Sequence, residues 1–357
     1  MGDRLKDKVA LVSGAGSSGP GWGNGKATAV LFAREGAKVL AADINRDAAL
    51  ETKRIIDGEG GICKAVSADV SQADDVSAMV SACIAAFGRI DVLHNNVGIV
   101  EVGGPVETTE ESWDRVNDVN LKSMFLTCKQ VLPHMEHQGK GAIVNLASVS
   151  GIRWLGVPYI SYAATKAAVI QFTRVIALQY ARSGIRANSI LPGMMNTPMV
   201  HAPEVVAAYG GSAEEMVRRR DEQCPMGRMG DAWDVAYAAL FLASDEAKYI
   251  TRHRAGRRWR SDGQLRLRLP AAEHRRSGRR TTVAMAIFAS ARKVEPGRPR
   301  PELACEFREN SHRDSIWESS LNSKRVPDRG EAPNDRLPLA IRGGSGGSLS
   351  HRQLRQC

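Results

Sequence analysis

The chain has 357 residues, of which 43% are apolar, 25% charged and only 5% aromatic, a globular composition that excludes a fibre or a disulfide miniprotein. No apolar run approaches the roughly 18 residues of a membrane span and the charged start is unlike a signal peptide, so we expect a cytosolic protein without a membrane partner. The formal net charge of +10 is uneven, because residues 1–251 carry −3 and residues 252–357 carry +13.

Up to Thr251, short apolar runs alternate with amphipathic stretches, a pattern typical of βαβ units around a parallel sheet. The predicted strands are Val9–Ser13, Lys38–Asp43, Ile62–Ala68, Ile90–Asn95, Gly141–Ala147 and Ile185–Leu191. The predicted helices are Lys26–Glu35, Arg46–Asp57, Ala73–Phe87, Glu111–His137, Tyr159–Ser183 and Trp233–Ala243. Near-continuous apolar strands indicate a sheet covered on both faces. The predicted fold class is therefore α/β, a Rossmann-like doubly wound parallel sheet with helices on both faces.

A glycine-rich loop follows the first strand, running from Ser13-Gly14 to Gly23 and Gly25 at the start of the first helix. Glycines let the backbone turn sharply and approach a pyrophosphate, whose charge the helix N-terminus favours. Such a loop alone is also compatible with a flexible turn. Asp43 ends the next strand 18 residues after Gly25, close to the spacing of an acid that binds an adenosine ribose. Together the two features predict nucleotide binding.

Asp43 also bears on the choice of cofactor, because a carboxylate that binds both ribose hydroxyls repels a 2′-phosphate. NAD is therefore favoured over NADP. Two alternatives stay open: Arg46 could pair with a phosphate, and Asp43 could simply cap the following helix. After the third strand, Asp69-Val70 could reach the adenine, or Asp69 could be a helix cap.

A second motif is Tyr162-Ala163-Ala164-Thr165-Lys166, whose i, i+4 spacing places the phenol and the ammonium on one helix face. A neighbouring cation stabilises phenolate, so we expect the pKa of Tyr162 to fall below its usual value of about 10. Taken alone, this spacing also fits a solvated helix face. Ser148, at the end of a strand just before this helix, offers a hydroxyl to hold a substrate carbonyl.

These motifs resemble the single-domain short-chain dehydrogenase/reductase family over roughly residues 5–251. The resemblance implies that Tyr162 is the general acid/base, that Lys166 lowers its pKa and holds the nicotinamide ribose, and that Ser148 orients the reacting oxygen. It further implies that Asn120 anchors a water relay. The cofactor would also be bound by a set of residues after the strands: Asn95, Gly98, Pro192, Gly193 and Thr197.

Two departures from the family pattern affect these assignments. The loop from Gly14 to Gly23 is about five residues longer than usual. Ser148 and Tyr162 are 14 positions apart, one more than the commonest spacing, so Ser150 stays an alternative to Ser148. The family also implies a homo-oligomer, a tetramer or dimer.

The leading hypothesis is an NAD(P)-dependent oxidoreductase that moves a hydride between nicotinamide and a secondary alcohol or ketone. Methionine-rich residues 194–229 predict a mobile flap, and with Ile152, Trp154 and Leu155 they indicate either an apolar pocket or ordinary core packing. A 3-oxoacyl, cyclic or steroid-like alcohol would suit such a pocket. The alternatives are a non-catalytic nucleotide-binding protein on the same fold, or nucleic-acid binding through the basic tail. The six cysteines form no metal-binding pattern, so no metal site is predicted.

Residues 252–357 form an Arg-rich tail, with 22 Arg and only two Lys. The family would continue after Thr251 with a Gly-Thr turn, an apolar strand and Asp-Gly-Gly. Codons can be chosen for the segment from Arg252 to Arg260 such that dropping one base yields Gly-Thr-Gly-Leu-Val-Val-Asp-Gly-Gly. We therefore predict that the tail is a disordered, out-of-frame translation, that the last edge strand is missing and that assembly is impaired. A nucleic-acid-binding arm is the less favoured alternative.

Overall fold

A computed structural model of the protein describes residues 2–255, and the elements below belong to this part of the chain. The strands are β1 Val9–Ser13, β2 Lys38–Asp43, β3 Ile62–Ser67, β4 Val92–Asn95, β5 Gly141–Leu146, β6 Ile185–Ile190 and β7 Arg254–Ala255. All neighbouring strands pair in parallel, in the order β3-β2-β1-β4-β5-β6-β7. The predicted doubly wound parallel sheet is confirmed.

The helices that connect the strands are α1 Asn24–Arg34, α2 Arg46–Gly58, α3 Ala73–Phe87, α4 Glu110–Asn117, α5 Ser123–Gln138, α6 Ile160–Gln179, α7 Pro203–Ala208, α8 Ala213–Gln223 and α9 Ala232–Ala243. Several begin at residues whose side chains accept hydrogen bonds from the first turn, as Asn45 does for α2 and Asp231 for α9. These caps fix where each loop ends and its helix begins, and they hold the loops at the carboxyl ends of the strands.

The sheet is buried on both faces because its central strands are apolar at nearly every position. One core packs the sheet against α1 and α9, with Phe32 and Leu240 fully buried. The other packs it against α3, α5 and α6, with Met79 and Met135 fully buried. With both faces covered, side chains can meet a ligand only at the strand ends, which is where this fold places its sites.

The predicted helix over 111–137 is interrupted. Residues Asp118–Lys122 form a π-helical turn between α4 and α5. The apolar pattern continues through this turn, so periodicity did not reveal the break. A π-turn inserts one extra residue into the helical register and often marks a functional position. Asn120, the predicted anchor of the water relay, lies in this turn and is fully buried.

The sequence predicts that the last edge strand is missing. This prediction is wrong for two residues, since β7 pairs Arg254 with Ser189 and Ala255 with Ile190. The approach to β7 is held through the backbone: Arg252 N–H donates to Ala187 O, and Ser189 N–H donates to His253 O, both at 2.9 Å. Backbone pairing needs no particular side chains, so an arginine-rich segment can enter the sheet. The prediction for the rest of the tail lies outside the described residues.

Within residues 2–255, no helix is long and apolar enough to cross a membrane. The same part of the chain contains no group of three or more His, Cys, Asp or Glu side chains that could hold a metal ion. Its four cysteines are free, and Cys63, Cys83 and Cys128 are buried.

Candidate active site

The predicted site residues gather at the carboxyl ends of the strands. The crevice lies between β1 and β4, where the strand order reverses direction and where doubly wound sheets bind nucleotides. Ser13 and Asn95 end these two strands in register with each other. The glycine loop and the turn that contains Gly98 therefore leave the sheet side by side.

The glycine loop packs so closely against neighbouring atoms at Gly14 and Gly25 that a side chain would not fit at either position. A Cβ on Gly25 would lie 1.8 Å from Gly14 O, and Gly14 itself has a φ of +67°, a conformation that glycine adopts without strain. Gly23 is the N-terminal cap of α1 and has no side chain that could accept hydrogen bonds from the N–H groups of the first turn. Asn96 Nδ2 donates to Gly14 O at 2.9 Å and ties the loop to the end of β4. The loop thus keeps bare backbone at the crevice.

Asp43 is placed against this loop. Its Oδ2 accepts a hydrogen bond from Gly16 N–H at 2.9 Å, and its Oδ1 accepts one from Asn45 N–H at 3.0 Å. The helix cap of α2 is Asn45, whose side chain accepts from Asp47 N–H and Ala48 N–H. The alternative in which Asp43 serves as that cap is therefore wrong. The carboxylate instead joins the glycine loop to the end of β2.

The crevice residues fit a bound dinucleotide. The first turn of α1 has neither a capping side chain nor an acidic residue, so its N–H groups are left for an anion. Asn24 Oδ1 and Asn96 Oδ1 are buried acceptors without a hydrogen-bond partner. Buried acceptors are rarely left unpaired, and the hydroxyl and amide groups of a nucleotide are suitable donors. Ser13, Gly14, Gly23, Gly25 and Asp43 are the residues that would hold the adenosine and pyrophosphate groups.

Other predicted cofactor residues have internal contacts. The Asp69 carboxylate accepts from both Ser71 N–H and Ser71 Oγ, which makes a turn before α3, and Val70 is buried. Asn95 is buried in a network in which its Nδ2 donates to Asn145 Oδ1 and its Oδ1 accepts from Thr127 Oγ1, both at 2.9 Å. Its side chain thus connects β4 to β5 and α5 by hydrogen bonds.

On the opposite side of the crevice, the segment after β6 passes the end of β5. Pro192 O accepts from Val149 N–H at 3.1 Å, and a Cβ on Gly193 would contact nothing within 4 Å. Thr197 is buried and leads into a short 3₁₀ turn, Pro198–His201. The hydrogen bond of Pro192 places the start of this segment beside the residue that follows Ser148, and the nicotinamide role of the three residues stays a prediction.

The residues predicted to be catalytic lie close to the end of β5. Lys166 on α6 is 2% exposed, and its Nζ donates to Leu146 O at the end of β5 at 2.8 Å. The same Nζ lies 5.6 Å from the centre of the Tyr162 ring. A Cβ on Gly98 would lie 3.0 Å from Nζ and 3.3 Å from Asn120 Oδ1, so only glycine leaves this space open. Asn120 is held by Ile99, whose N–H donates to Oδ1 at 2.7 Å.

The prediction that the pKa of Tyr162 falls below its usual value is wrong. Removal from water raises the pKa of Tyr162, whereas hydrogen bonding from Ser148 and the positive charge of Arg220 lower it by smaller amounts. Burial also lowers the pKa of Lys166 to about 8. Loss of hydration is the largest cause of both shifts. Ser148 Oγ also accepts from Ser150 N–H at 3.1 Å. Of the two candidate serines, Ser148 is the one that hydrogen-bonds to Tyr162.

The flap, residues 194–229, contains α7 and α8 and covers the Tyr162 side of the crevice. Its inner face packs Val205, Tyr209 and Met216 against Tyr159, and the half-buried Tyr162 lies beside this cluster. Sequence reasoning missed Tyr209 and Arg220, which also lie here. One signal was available for Arg220: it follows Met216 by four positions on α8, so both side chains share the buried face.

The predicted apolar pocket is only partly formed by the residues named for it. Met195 and Leu155 pack against the cores, as the alternative of ordinary core packing predicts. Val200 contacts the cluster beside Tyr162. Ile152 and Trp154 are 38% and 69% exposed, so they remain available to a ligand.

This fold and site define a class of protein: a single-domain oxidoreductase with a parallel nucleotide-binding sheet and a Ser-Tyr-Lys group at its carboxyl edge. A bound nicotinamide nucleotide would supply or accept the hydride. Tyr162 can donate or accept a proton at the reacting oxygen, and Ser148 can hold that oxygen by a hydrogen bond. Lys166 can place a positive charge beside both.

Comparisons with known proteins agree with this class. A family profile described as Enoyl-(Acyl carrier protein) reductase matches residues 20–255. The 2,5-dichloro-2,5-cyclohexadiene-1,4-diol dehydrogenase of Sphingobium indicum is 38% identical over 251 residues, 70% of this chain and 94% of the relative. The 3-oxoacyl-[acyl-carrier-protein] reductase of Thermotoga maritima is 40% identical over 250 residues, 70% of this chain and 95% of the relative.

A crystal structure of a putative short-chain dehydrogenase/reductase from Burkholderia xenovorans is 46% identical. It aligns with a TM-score of 0.66 over 71% of this chain and 95% of that one. The chain belongs to the short-chain dehydrogenase/reductase family. It is an oxidoreductase that acts on hydroxyl or keto groups with a nicotinamide cofactor.

Proposed function

We propose that the protein transfers a hydride between NAD(H) and a secondary alcohol or ketone, with Tyr162 as general acid/base. The observation that carries this proposal is the placement of the Lys166 ammonium, buried and 5.6 Å from the Tyr162 ring, on the same side as the Ser148 hydroxyl. In this reaction Ser148 orients the reacting oxygen, Lys166 holds the nicotinamide ribose, and Asn120 anchors a water that relays protons from Lys166.

The test is Tyr162→Phe, which removes the transferable proton and keeps the ring. We expect kcat to fall at least about a hundredfold while NADH binding is retained. Tyr237→Phe, at a half-exposed position on α9, is the matched control and keeps full activity. Turnover of the Tyr162 variant within about threefold of the parent would reject the assignment.

For the cofactor we propose NAD rather than NADP. Support comes from the Asp43 carboxylate, which is held against the glycine loop by Gly16 N–H where an adenosine ribose would bind. A 2′-phosphate in this place would meet a negative charge. Higher kcat/KM with NADP than with NAD would overturn the choice.

For the substrate we propose an alcohol with an apolar body, of the cyclic, steroid-like or 3-oxoacyl class. The support is the apolar inner face of the flap together with the exposed Ile152 and Trp154. Relatives of similar identity are named for a cyclic diol and for a 3-oxoacyl-[acyl-carrier-protein], so family membership leaves the class open. A screen of secondary alcohols with NAD, monitored by NADH absorbance, decides among them.

We further propose a homo-oligomer. Phe125 on α5 and Val175 and Leu178 on α6 are each at least half exposed, although large apolar side chains are usually buried. A second copy of the chain that packs on these helices would cover them. Light scattering of the parent and of Leu178→Glu is the test, and the variant is expected to have the lower mass. A monomeric parent would contradict the proposal.

For the compartment we propose the cytosol. The four cysteines of residues 2–255 are free thiols, which suits a reducing environment. Fractionation of the source cells, with an antibody against the protein, tests the location.

We also propose that the oxidoreductase domain comprises residues 1–251 and that the Arg-rich remainder, residues 252–357, is translated out of frame. The support is the charge change at residue 252, together with a family match that extends to residue 255. Resequencing the gene is the direct test, since an unshifted frame contradicts the idea. A chain truncated after Ala255 is expected to keep the activity of the full chain.

A further inference from the structure

Three Lys or Arg side chains are buried in the described part of the chain, and two of them have an evident role. Lys26 pairs with Glu51 at 2.6 Å, and Lys166 belongs to the catalytic group. The third is Arg220 on α8 of the flap, which is 7% exposed. A buried cation without a counter-charge strongly destabilises a fold, so its retention calls for a function.

The contacts of Arg220 are all with neutral groups. Its Nε donates to Met229 Sδ at 3.2 Å, and its Nη1 donates to Tyr209 OH at 3.4 Å. Its guanidinium carbon lies 5.5 Å from the centre of the Tyr209 ring. The adjacent Asp221 directs its Oδ1 to Met229 N–H. Arg220 has no ion pair with any residue between 2 and 255, and two contacts leave most of its five N–H donors available.

The two preceding arginines are a direct contrast. Arg218 pairs with both Glu215 and Glu222, and Arg219 pairs with Glu215, all on the exposed face of α8. Arg220 is the next residue, and helical geometry places it on the buried face of α8 that also carries Met216. Of the three consecutive arginines, the one that points into the flap is therefore the one that lacks a carboxylate.

Arg220 is directed to the side of the flap where the reacting hydroxyl lies. Its neighbour Tyr209 packs in one cluster with Tyr159, Val205 and Tyr162. The positive charge of Arg220 lowers the pKa of both Tyr159 and Tyr162, opposing the effect of burial. A charge that acts on the Tyr162 phenol also acts on a substrate bound at that phenol.

We propose that Arg220 binds a carboxylate on the substrate, so that the protein acts on hydroxy acids or their keto acids. This proposal rests on the proposed function at Tyr162 and specifies its substrate. A planar guanidinium accepts a carboxylate through two parallel N–H···O bonds, which also orient the rest of the molecule. Since no second Lys or Arg of the described flap is buried, a singly charged carboxylate fits better than a phosphate.

The test compares acids with their uncharged methyl esters: 3-hydroxybutanoate, 4-hydroxypentanoate and 5-hydroxyhexanoate, each with NAD. The parent should show at least tenfold higher kcat/KM for one acid than for its ester, through a lower KM. Arg220→Met keeps the length of the side chain and should abolish this preference, so that the ratio of kcat/KM for the acid over its ester falls to about one. Arg219→Met, on the exposed face of the same helix, is the matched control and should keep the preference.

A binding measurement makes the result independent of turnover. Calorimetric titration of the protein–NADH complex with cyclohexanecarboxylate, cyclohexanecarboxamide and cyclohexyl phosphate should give binding of the carboxylate alone, at least tenfold weaker in Arg220→Met. An unchanged or raised melting temperature of this variant would support a binding role, whereas a lowered one with equal loss on acid and ester would assign Arg220 to structure.

The proposal is overturned if the parent binds the carboxylate no better than the amide, if phosphate is preferred, or if Arg220→Met retains the acid preference. Failure of the proposed function is recognised separately. In that case Tyr162→Phe would turn over acids and esters as the parent does, whatever Arg220 binds.

Discussion

The cofactor side and the flap of this protein are built by different means. On the cofactor side, Gly14, Gly25 and Gly16 present bare backbone, and Asp43 and Asn96 hold that backbone by direct hydrogen bonds. In the flap, packed side chains form the surface that faces the site. A surface made of backbone tolerates few changes of sequence, whereas a surface made of side chains changes with each substitution.

This difference assigns separate tasks to the two regions. Relatives of 38% and 40% identity are named for different substrates, so the fold does not by itself fix the substrate. We therefore expect substrate choice to depend on the flap and on the side chains that it contributes. Substitutions in one region should leave the task of the other region unchanged, and four experiments test how far that separation holds.

The largest effect is expected from Gly25→Ala. Its Cβ would lie 1.8 Å from Gly14 O, so the loop must move and the pyrophosphate site is lost. We expect the Kd for NADH, measured by fluorescence titration, to rise at least about a hundredfold. Gly58→Ala, where the added methyl meets nothing within 4 Å, should bind NADH like the parent. Normal NADH affinity in Gly25→Ala would contradict the view that closely packed backbone forms the cofactor side.

The next effect concerns Lys166→Met, which should abolish turnover and yet stabilise the fold. Burial lowers the folded-state pKa of Lys166 to about 8 from 10.5, so the buried ammonium destabilises the fold below pH 8 by on the order of 3 kcal/mol. Urea unfolding at pH 7 should therefore show a higher unfolding free energy for the variant.

That gain should shrink as pH rises from about 8 to 10.5, because the folded parent then releases the proton that the unfolded chain still holds. Stability of the parent consequently rises with pH in this window. Lys122→Met, at an exposed position, is the control and should not raise the unfolding free energy at pH 7. Equal or lower stability of Lys166→Met at pH 7 would show that the hydrogen bond to Leu146 O outweighs desolvation.

A moderate effect is expected from Asp43→Ala. Loss of the carboxylate removes repulsion of a 2′-phosphate and should reduce the ratio of kcat/KM for NAD over NADP by about tenfold. Asp47→Ala in the first turn of α2 is the control and should leave the ratio unchanged. An unchanged ratio in Asp43→Ala would restrict this carboxylate to supporting the loop.

The smallest effect is expected in the flap from Tyr209→Phe. It removes the hydroxyl that accepts from Arg220 Nη1 at 3.4 Å, a long hydrogen bond. We expect KM for the substrate to change by about threefold and the Kd for NADH to stay the same. A matching change in NADH affinity would show that the two regions are coupled.

The sequence predicted the cofactor side better than the flap for a physical reason. β1, β2 and α3 have the predicted bounds, because continuous apolar runs and helical periodicity are local signals. The positions of Gly25 and Asp43 followed from spacing within one βαβ unit. By contrast, the π-turn at Asp118–Lys122 depends on one extra backbone residue that the apolar pattern does not reveal.

Contacts between distant segments were beyond such reasoning. Arg220 looks like one of three solvated arginines until α8 is packed against the body of the protein. The direction of the pKa of Tyr162 depends on how completely the site is removed from water, and the spacing to Lys166 alone says nothing of that. Burial by a flap is a property of the fold and not of the motif.

The two ends of the flap meet. Met195 forms an isolated β-bridge with Gly230, with Asn196 N–H donating to Gly230 O at 2.8 Å and Gly230 N–H donating to Met194 O at 3.1 Å. An insertion whose ends are adjacent can be exchanged without moving the sheet on which it stands. Residues 196–229 are thus a natural cassette for grafting, and chimaeras that carry the corresponding segment of a relative offer a direct route to altered substrate range.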